Sequence, residues 1–216
     1  MRVHPKAPVL ALDVDGTIAD YYEHFRWFAE LYLQKELVAD WSSGTDQFSE
    51  ALGLDLALYR QIKLAYRQGG MKRCIPPLDE GLRHFIPQIR ARLGVQIWIC
   101  TTRPWQRLDN IDPDTQFWLG RNVGRVDGVI YGEDKYEDLI DLVGKDRILG
   151  VIDDLPENIR RAGSLGLRSA IYSGDHNKFW RESISPGVTD SVHSAESILS
   201  TTEAWFSDYN NGRSND

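Results

Sequence analysis

The stretch Val9-Leu-Ala-Leu-Asp-Val-Asp-Gly-Thr17 decides the fold, because a short apolar run ends there in two aspartates and a turn. Such a run is typical of a strand buried on both faces. Alternate residues of a strand share a side, so Asp13 and Asp15 are predicted to lie together at its carboxyl end. Gly16 then lets the chain turn sharply. A structural strand followed by an ordinary Asp-Gly turn would have the same sequence. Whether the two aspartates are functional or only part of a turn therefore depends on the rest of the chain.

Further apolar runs follow, and helical patterns alternate with them. Strands are predicted at Pro8–Val14, Val95–Cys100, Val126–Tyr131, Arg147–Ile152 and Arg168–Tyr172. Helices are predicted at Asp79–Leu93, at Pro113–Arg121 with Asp112 as N-cap, and at Lys135–Val143, Pro156–Leu165 and Ala195–Phe206. This alternation predicts an α/β fold, a Rossmann-like doubly wound parallel sheet with helices on both sides.

A long interval breaks the alternation, since about 80 residues separate the first strand from the second. Helical patterns at Asp20–Leu37 and Leu54–Gln68 predict a small helical insertion that rejoins the sheet near Gly69–Pro77. We therefore predict a core formed by residues 1–18 and 78–207, an insertion at 19–77 and a flexible tail at 208–216.

A second acidic pair, Asp153-Asp154, ends another apolar strand. The carboxyl ends of parallel strands share one edge of a sheet, so this pair can converge with Asp13 and Asp15. Four close carboxylates repel unless a cation lies among them, and hard oxygen ligands favour Mg²⁺. Asp154 can equally be the cap of the helix that starts near Pro156.

Hydroxyl and cationic residues follow the second and third strands. Thr101, Thr102 and Arg103 end one strand, and their hydroxyls, backbone amides and charge suit a phosphate oxygen. Lys135 starts a helix, where a lone lysine is usually solvated. It becomes a candidate site residue because an anion bound beside carboxylates needs a positive counter-charge. Lys72 and Arg73, near the return of the insertion, are either a solvated pair or contacts for a second anionic group.

The composition narrows the class of protein. A formal charge of −7 argues against stable nucleic-acid binding but allows a small anionic substrate. Two cysteines, Cys74 and Cys100, cannot form a disulfide framework and read as free thiols of a reducing compartment. Apolar runs are too short for a membrane helix, so a cytoplasmic location and no membrane partner are expected.

The combination of Asp13-Val-Asp-Gly-Thr17, Thr101, Lys135 and Asp153-Asp154 resembles the haloacid dehalogenase superfamily of phosphohydrolases, over roughly residues 8–175. The resemblance implies a cap at the insertion. It implies that Asp13 is the nucleophile and Asp15 the general acid and base. It implies Mg²⁺ held by the carboxylates of Asp13 and Asp153 and the carbonyl of Asp15, with Asp154 orienting a metal-bound water. The phosphate would be bound by Gly16, Thr101, Thr102, Arg103 and Lys135.

A narrower resemblance, to the 5′(3′)-deoxyribonucleotidases, rests on Asp13–Asp20 with the aromatic-rich helix that follows, and on Ile97–Pro104, Asp134-Lys135 and His176-Asn177. It implies a nucleoside monophosphate as substrate. Tyr22 and Trp27 on the aromatic first helix are candidates for stacking on a base, and Arg73 and His176 are further candidate contacts; core packing explains the aromatic helix equally well. Two alternatives stay open, a 3′-phosphatase on nucleic-acid ends and a catalytically silent binding module.

Overall fold

The computed structural model describes residues 6–45, 47–104, 106–183 and 190–213. Within these ranges the chain forms one six-stranded sheet in which every neighbouring pair is parallel, in the order β3-β2-β1-β4-β5-β6. The strands are β1 Val9–Leu12, β2 Gln96–Thr101, β3 Gly128–Tyr131, β4 Ile148–Asp153, β5 Ser169–Tyr172 and β6 Asp190–Val192. The predicted doubly wound α/β fold is confirmed. Strand β6 was not predicted, because its three residues include no apolar run.

Strand β1 lies inside the sheet and is covered on both faces. Leu10 and Leu12 join one hydrophobic cluster, whereas Val9 and Ala11 join a second cluster on the opposite face. All four side chains are fully buried. Coverage on both faces explains why the strand reads as a continuous apolar run rather than an alternating one.

Helices cover the two faces of the sheet. They are α1 Tyr21–Leu33, α2 Phe48–Ala51, α3 Leu56–Gln68, α4 Leu82–Leu93, α5 Ile111–Asn122, α6 Lys135–Val143, α7 Pro156–Ser164, α8 Lys178–Ser183 and α9 Ala195–Arg213. Residues of α4, α5 and α9 pack with Leu10 and Leu12, and residues of α6 and α7 pack with Val9 and Ala11. No helix among the described residues is long and apolar enough to cross a membrane.

Several predicted helix boundaries differ from the structure: the helix predicted at Asp20–Leu37 ends at Leu33, the one predicted at Asp79–Leu93 begins at Leu82, and α5 and α9 differ as well. Helix α5 begins at Ile111, with Asn110 as its N-cap residue, so Asp112 lies in the first turn, where its carboxylate accepts hydrogen bonds from Tyr131 (2.7 Å) and Gln116 (3.2 Å). Helix α9 continues past the predicted end at Phe206 to Arg213, so it includes residues 208–213 of the predicted tail. A solvent-exposed ion pair joins Asp208 of this last part to Arg168 (2.9 Å). Residues 214–216 of the predicted tail lie outside the described residues.

The insertion, residues 19–77, contains α1, α2 and α3. Rings of Phe25, Tyr59 and Tyr66 join α1 to α3 at centroid distances of 5.3 to 5.4 Å. Its two connecting segments run side by side, since Ala19 forms a bridge with Pro77 and the Asp20 amide donates to the Pro76 carbonyl (2.9 Å). The pairing of these two segments supports boundaries at 19 and 77. That the insertion is a separate domain stays a prediction.

Candidate active site

The candidate site lies at the carboxyl edge of the sheet, where β1, β2 and β4 end. Asp13 follows β1 directly, and its amide donates to the Ile152 carbonyl of β4 (2.9 Å). Thr101 and Asp153 are the last residues of β2 and β4. Parallel pairing therefore brings residues that are far apart in sequence to one edge, as expected for open α/β sheets.

Lys135, at the start of α6, joins the two acidic motifs. Its Nζ donates to Asp13 Oδ1 (2.7 Å) and to Asp153 Oδ2 (2.6 Å), and its side chain is only 1% exposed. Burial alone would lower the pKa of Lys135, but the two carboxylates outweigh burial and raise it above its ordinary value. Lys135 is therefore a buried site residue and not a solvated surface lysine.

Asp153 is surrounded by donors. Its Oδ2 accepts from Lys135 and from Tyr136 Oη (2.7 Å), and its Oδ1 accepts from the Leu155 amide (2.9 Å). Asn158 Nδ2 contacts both oxygens, at 3.0 and 3.1 Å. Burial raises the pKa of this carboxyl, yet Lys135 and the hydrogen bonds from Lys135, Tyr136 and Asn158 bring it below its ordinary value. The side chain is thus held as a fully bonded anion.

Asp154 has a different environment. Its Oδ1 accepts from Thr17 Oγ1 (3.1 Å), its Oδ2 accepts from Tyr22 Oη (3.1 Å), and His176 Nε2 lies 2.8 Å from Oδ2. Gly16, with a φ of +90°, passes so close that an added Cβ would lie 2.2 Å from Asp154 Oδ2. The glycine is therefore required both by its backbone conformation and by the approach of this carboxylate.

Asp15 is clamped by two cations. Arg103 donates to its Oδ1 (2.6 Å) and Oδ2 (3.1 Å), and Lys72 Nζ contacts Oδ2. Burial opposes ionisation, but Arg103 and Lys72 hold the pKa of Asp15 well below its ordinary range. Burial lowers the pKa of Lys72 to about 7, with Asp15 opposing the shift and Arg103 reinforcing it. Asp15 is an anion in this arrangement.

Negative charge is in excess around Asp13. Burial raises the pKa of Asp13 well above its ordinary value; Lys135 opposes the shift, and Asp153 and Asp154 reinforce it. Lys135 thus pairs with Asp13 and Asp153, while Asp154 adds a third buried carboxylate that acts on Asp13, and an added cation would favour the ionised form of Asp13. Within the described ranges, no three His, Cys, Asp or Glu side chains form a ready metal cluster. Mg²⁺ keeps several waters and needs only one or two carboxylates, so the donor set fits this ion.

A cavity of about 260 Å³ opens onto these residues. The core contributes Asp13, Asp15, Thr102, Arg103, Leu155 and Glu157, and the insertion contributes Tyr21, Tyr22, Phe48, Tyr59, Lys63, Arg67 and Lys72. Thr101 is buried at the end of β2, whereas Thr102 is exposed and lines the cavity. The cavity wall is therefore built by both parts of the chain.

Three of the four predicted substrate contacts, Trp27, Arg73 and His176, do not line the cavity. Trp27 is 46% exposed and does not line the cavity, because a residue two positions after the buried Phe25 points away from that face of α1. Arg73 pairs with the buried carboxylate of Asp114 (2.7 Å) and is turned away from the cavity. Tyr22 does line the cavity, and its ring stacks on that of His176 at a centroid distance of 4.2 Å.

Several residues at the site were not recognised in the sequence. Lys72 was interpreted as part of a solvated pair or as a contact for a second anionic group, yet it is 3% exposed and bonded to Asp15. Tyr136 and Asn158 carried no motif that marks them as partners of Asp153. Lys63 and Arg67 did leave a signal, because their spacing of four residues next to Tyr59 places all three on one face of a helix.

Several solved structures have a fold similar to that of this chain at low sequence identity. CbbY from Rhodobacter sphaeroides in complex with phosphate is similar, with a TM-score of 0.61 and 16% identity over 91% of this chain and 99% of that chain. A haloacid dehalogenase superfamily hydrolase of subfamily IA from Geobacter sulfurreducens gives a TM-score of 0.57 and 14% identity over 91% and 97%. No protein-family model matches the chain. No curated protein sequence matches it either. The chain thus has the fold of haloacid dehalogenase superfamily hydrolases.

Proposed function

We propose that the protein is a Mg²⁺-dependent phosphomonoesterase that acts through an aspartyl-phosphate on Asp13. The observation that carries this proposal is the buried Asp13–Lys135–Asp153 bridge at the carboxyl edge of the sheet, beside Asp15 and an open cavity. Lys135 donates to Oδ1 of Asp13, and we assign the attack on phosphorus to Oδ2. The resemblance of the motifs and the fold of the structural neighbours support the same chemistry.

The proposed reaction has two displacements at phosphorus. The Asp13 carboxylate forms a bond to phosphorus while the bond to the leaving alcohol oxygen breaks, and that oxygen takes up a proton. Water then attacks the aspartyl-phosphate, releases inorganic phosphate and restores the carboxylate. Lys135 offsets the negative charge shared by Asp13 and the phosphoryl group in both steps.

Asp15 is proposed as the group that gives the proton to the leaving alcohol and later takes one from water. In the arrangement described here it is ionised and held by Arg103 and Lys72. A bound phosphate competes for these two cations. Loosening the clamp raises the pKa of the buried carboxyl, which is the direction that a general acid requires.

The metal ligands are assigned differently from the expectation raised by the sequence. Both oxygens of Asp153 are occupied by donors of the protein, one of which is a lysine. Asp154 is bonded to two hydroxyls and a histidine, none of which is permanently charged. Among the described residues, Oδ1 of Asp13 accepts from Lys135 alone, and a carboxylate oxygen has two lone pairs, so Oδ1 can also bind a cation while Oδ2 attacks phosphorus. We therefore propose Oδ1 of Asp13, the carboxylate of Asp154 and the carbonyl of Asp15 as ligands, with Asp153 positioning Lys135. Bound Mg²⁺ would neutralise charge on the phosphoryl oxygens.

The substrate is proposed to be a small phosphorylated molecule. The solved structures of CbbY contain phosphate or xylulose-1,5-bisphosphate, which supports this class. A nucleoside monophosphate, the finer expectation, has less support, because Trp27 lies off the cavity and one face of the Tyr22 ring is covered by His176. Tyr21, Phe48 and Tyr59 are the other rings of the insertion that line the cavity and could contact a base.

Phosphate release from p-nitrophenyl phosphate, with Mg²⁺ or with a chelator, tests the proposal. The wild-type chain should turn over only with the metal, and Asp13→Asn should lose roughly 10⁴-fold or more, since an amide cannot form the acyl-phosphate. Mass spectrometry after acid quenching should find phosphate on the peptide that contains Asp13. A well-folded chain without Mg²⁺-dependent turnover would favour the silent binding module.

A further inference from the structure

Helix α3 presents a stripe of three side chains to the cavity. Tyr59, Lys63 and Arg67 are spaced by four residues, so they lie on one face of the helix, and all three line the cavity. Ile62 and Tyr66, on the neighbouring face, are fully buried in the hydrophobic core. The helix thus turns its two cavity cations toward the space above Asp13 and Asp15.

These two cations differ from the other cations of the cavity. Lys72 and Arg103 both pair with the carboxylate of Asp15. Among the described residues, neither Lys63 nor Arg67 has a carboxylate within ion-pair distance. Lys63 lies over the Tyr59 ring at 5.2 Å, and the Nε atom of Arg67 is buried without a hydrogen-bond partner.

Such an arrangement is unfavourable in the free protein. A buried donor without an acceptor keeps its full desolvation penalty, and like charges four residues apart destabilise a helix. The charge of Arg67 also reaches Lys72, whose pKa it helps to lower. An anion bound between Lys63 and Arg67 would give the buried donor its acceptor and remove the repulsion.

We propose that Lys63 and Arg67 bind a second anionic group of the substrate, a carboxylate or a second phosphate, while the scissile phosphate lies at Asp13. This inference rests on the proposed phosphatase function and deepens it by naming the substrate class. The substrate is a small phosphomonoester with two anionic groups. A nucleoside monophosphate, which has a single anionic group, leaves the Arg67 donor unpaired.

Matched substrate pairs test the proposal on the full chain with Mg²⁺. The carboxylate arm compares 3-phosphoglycerate with glycerol 3-phosphate, and the phosphate arm compares fructose 1,6-bisphosphate with fructose 6-phosphate; adenosine monophosphate and p-nitrophenyl phosphate complete the set. The member with two anionic groups should have the higher kcat/KM in at least one arm. The arm that shows the larger ratio identifies the second group.

Variants of α3 locate the effect. Arg67→Gln and Lys63→Gln should each lower kcat/KM about 10- to 100-fold more for the doubly anionic substrates than for p-nitrophenyl phosphate, the loss expected for a charge-assisted hydrogen bond. Arg67→Lys should restore part of the difference. Arg60→Gln removes an exposed cation of the same helix that does not line the cavity, and it should leave all ratios unchanged.

The outcomes separate this inference from the proposed function. Turnover of every ester without preference for a second anion, or equal losses for both classes in Arg67→Gln and Lys63→Gln, overturns the inference and leaves the phosphatase standing. Absence of Mg²⁺-dependent turnover with any ester overturns the phosphatase itself. If Arg67→Gln does not fold, the Lys63→Gln ratios and the wild-type preference decide the question.

Discussion

Lys135 is the residue on which the charge balance of the site depends, because it donates to both Asp13 and Asp153 while being almost fully buried. Lys135→Met should leave two carboxylates facing each other and destabilise the fold by roughly 3–5 kcal/mol, as expected when one partner of a buried ion pair is removed. Thermal unfolding of metal-free protein measures this loss. Lys145→Ala, which removes an exposed lysine, is the control.

The same variant has a predictable dependence on pH. The lowered folded pKa of Asp153 stabilises the wild type above the ordinary carboxyl pKa and is lost as the pH falls through the folded value. Without Lys135, the facing carboxyls would have raised pKa values, so protonation stabilises the folded variant relative to the unfolded chain. The difference in Tm between wild type and Lys135→Met should therefore shrink from about pH 7 to about pH 4. A constant difference would argue against the bridge.

The two residues of the second acidic pair should respond differently to removal of charge. Asp154→Asn should raise the Mg²⁺ concentration needed for half-maximal turnover by about tenfold or more, because we assign that carboxylate as a ligand. Asp153→Asn should mainly lower Tm, because it leaves Lys135 with one carboxylate and disturbs its bonds to Tyr136 and Asn158. Titration of Mg²⁺ and thermal unfolding of both variants check this. The reverse pattern would restore Asp153 as the ligand.

At the level of secondary-structure elements, the strands β1 to β5 and the longer helices α1 and α3 of the insertion could be predicted from sequence, whereas the short helix Met71–Cys74 could not. Strands such as β1 are buried on both faces, and this produces a continuous apolar run that needs no knowledge of neighbours. In the short helix Met71–Cys74, two adjacent cations have different partners on different sides of the helix. Lys72 is buried against Asp15, and Arg73 pairs with Asp114. Four residues are too few to show a hydrophobic periodicity, so which of the two cations is buried depends on tertiary packing alone.

The candidate site shows the same limit. The acidic residues were found because motifs at strand ends meet wherever the sheet is parallel. The assignment of Asp153 and Asp154, in contrast, depends on which carboxylate receives Lys135, Tyr136 and Asn158, and these partners come from two helices. Sequence identifies the edge of the sheet; the packing of α6 and α7 decides the roles.

The whole molecule carries a charge of −7, yet the cavity is lined by four cations and three carboxylates. Both parts of the chain contribute to it, and a few contacts join them across the cavity. Lys72 of the insertion bonds to Asp15 of the core, and Tyr22 of the insertion bonds to Asp154. The site is therefore complete only when the insertion lies against the core, and the strength of these contacts should set how readily it opens.

Lys72→Met tests this coupling between the two parts of the chain. The substitution keeps an apolar contact with the Tyr21 ring, over which Lys72 Nζ lies at 4.1 Å, but removes the ion pair to Asp15, which retains Arg103. Hydrogen exchange followed by mass spectrometry should become faster in residues 69–77 and in α1, while exchange in β1 and β4 stays unchanged, because local opening leaves the sheet intact. Lys63→Met, which lines the cavity without pairing to the core, should leave exchange in these segments unchanged. Faster exchange throughout the sheet would show that Lys72 supports the whole fold, and unchanged exchange in residues 69–77 would show that the ion pair does not hold the insertion in place.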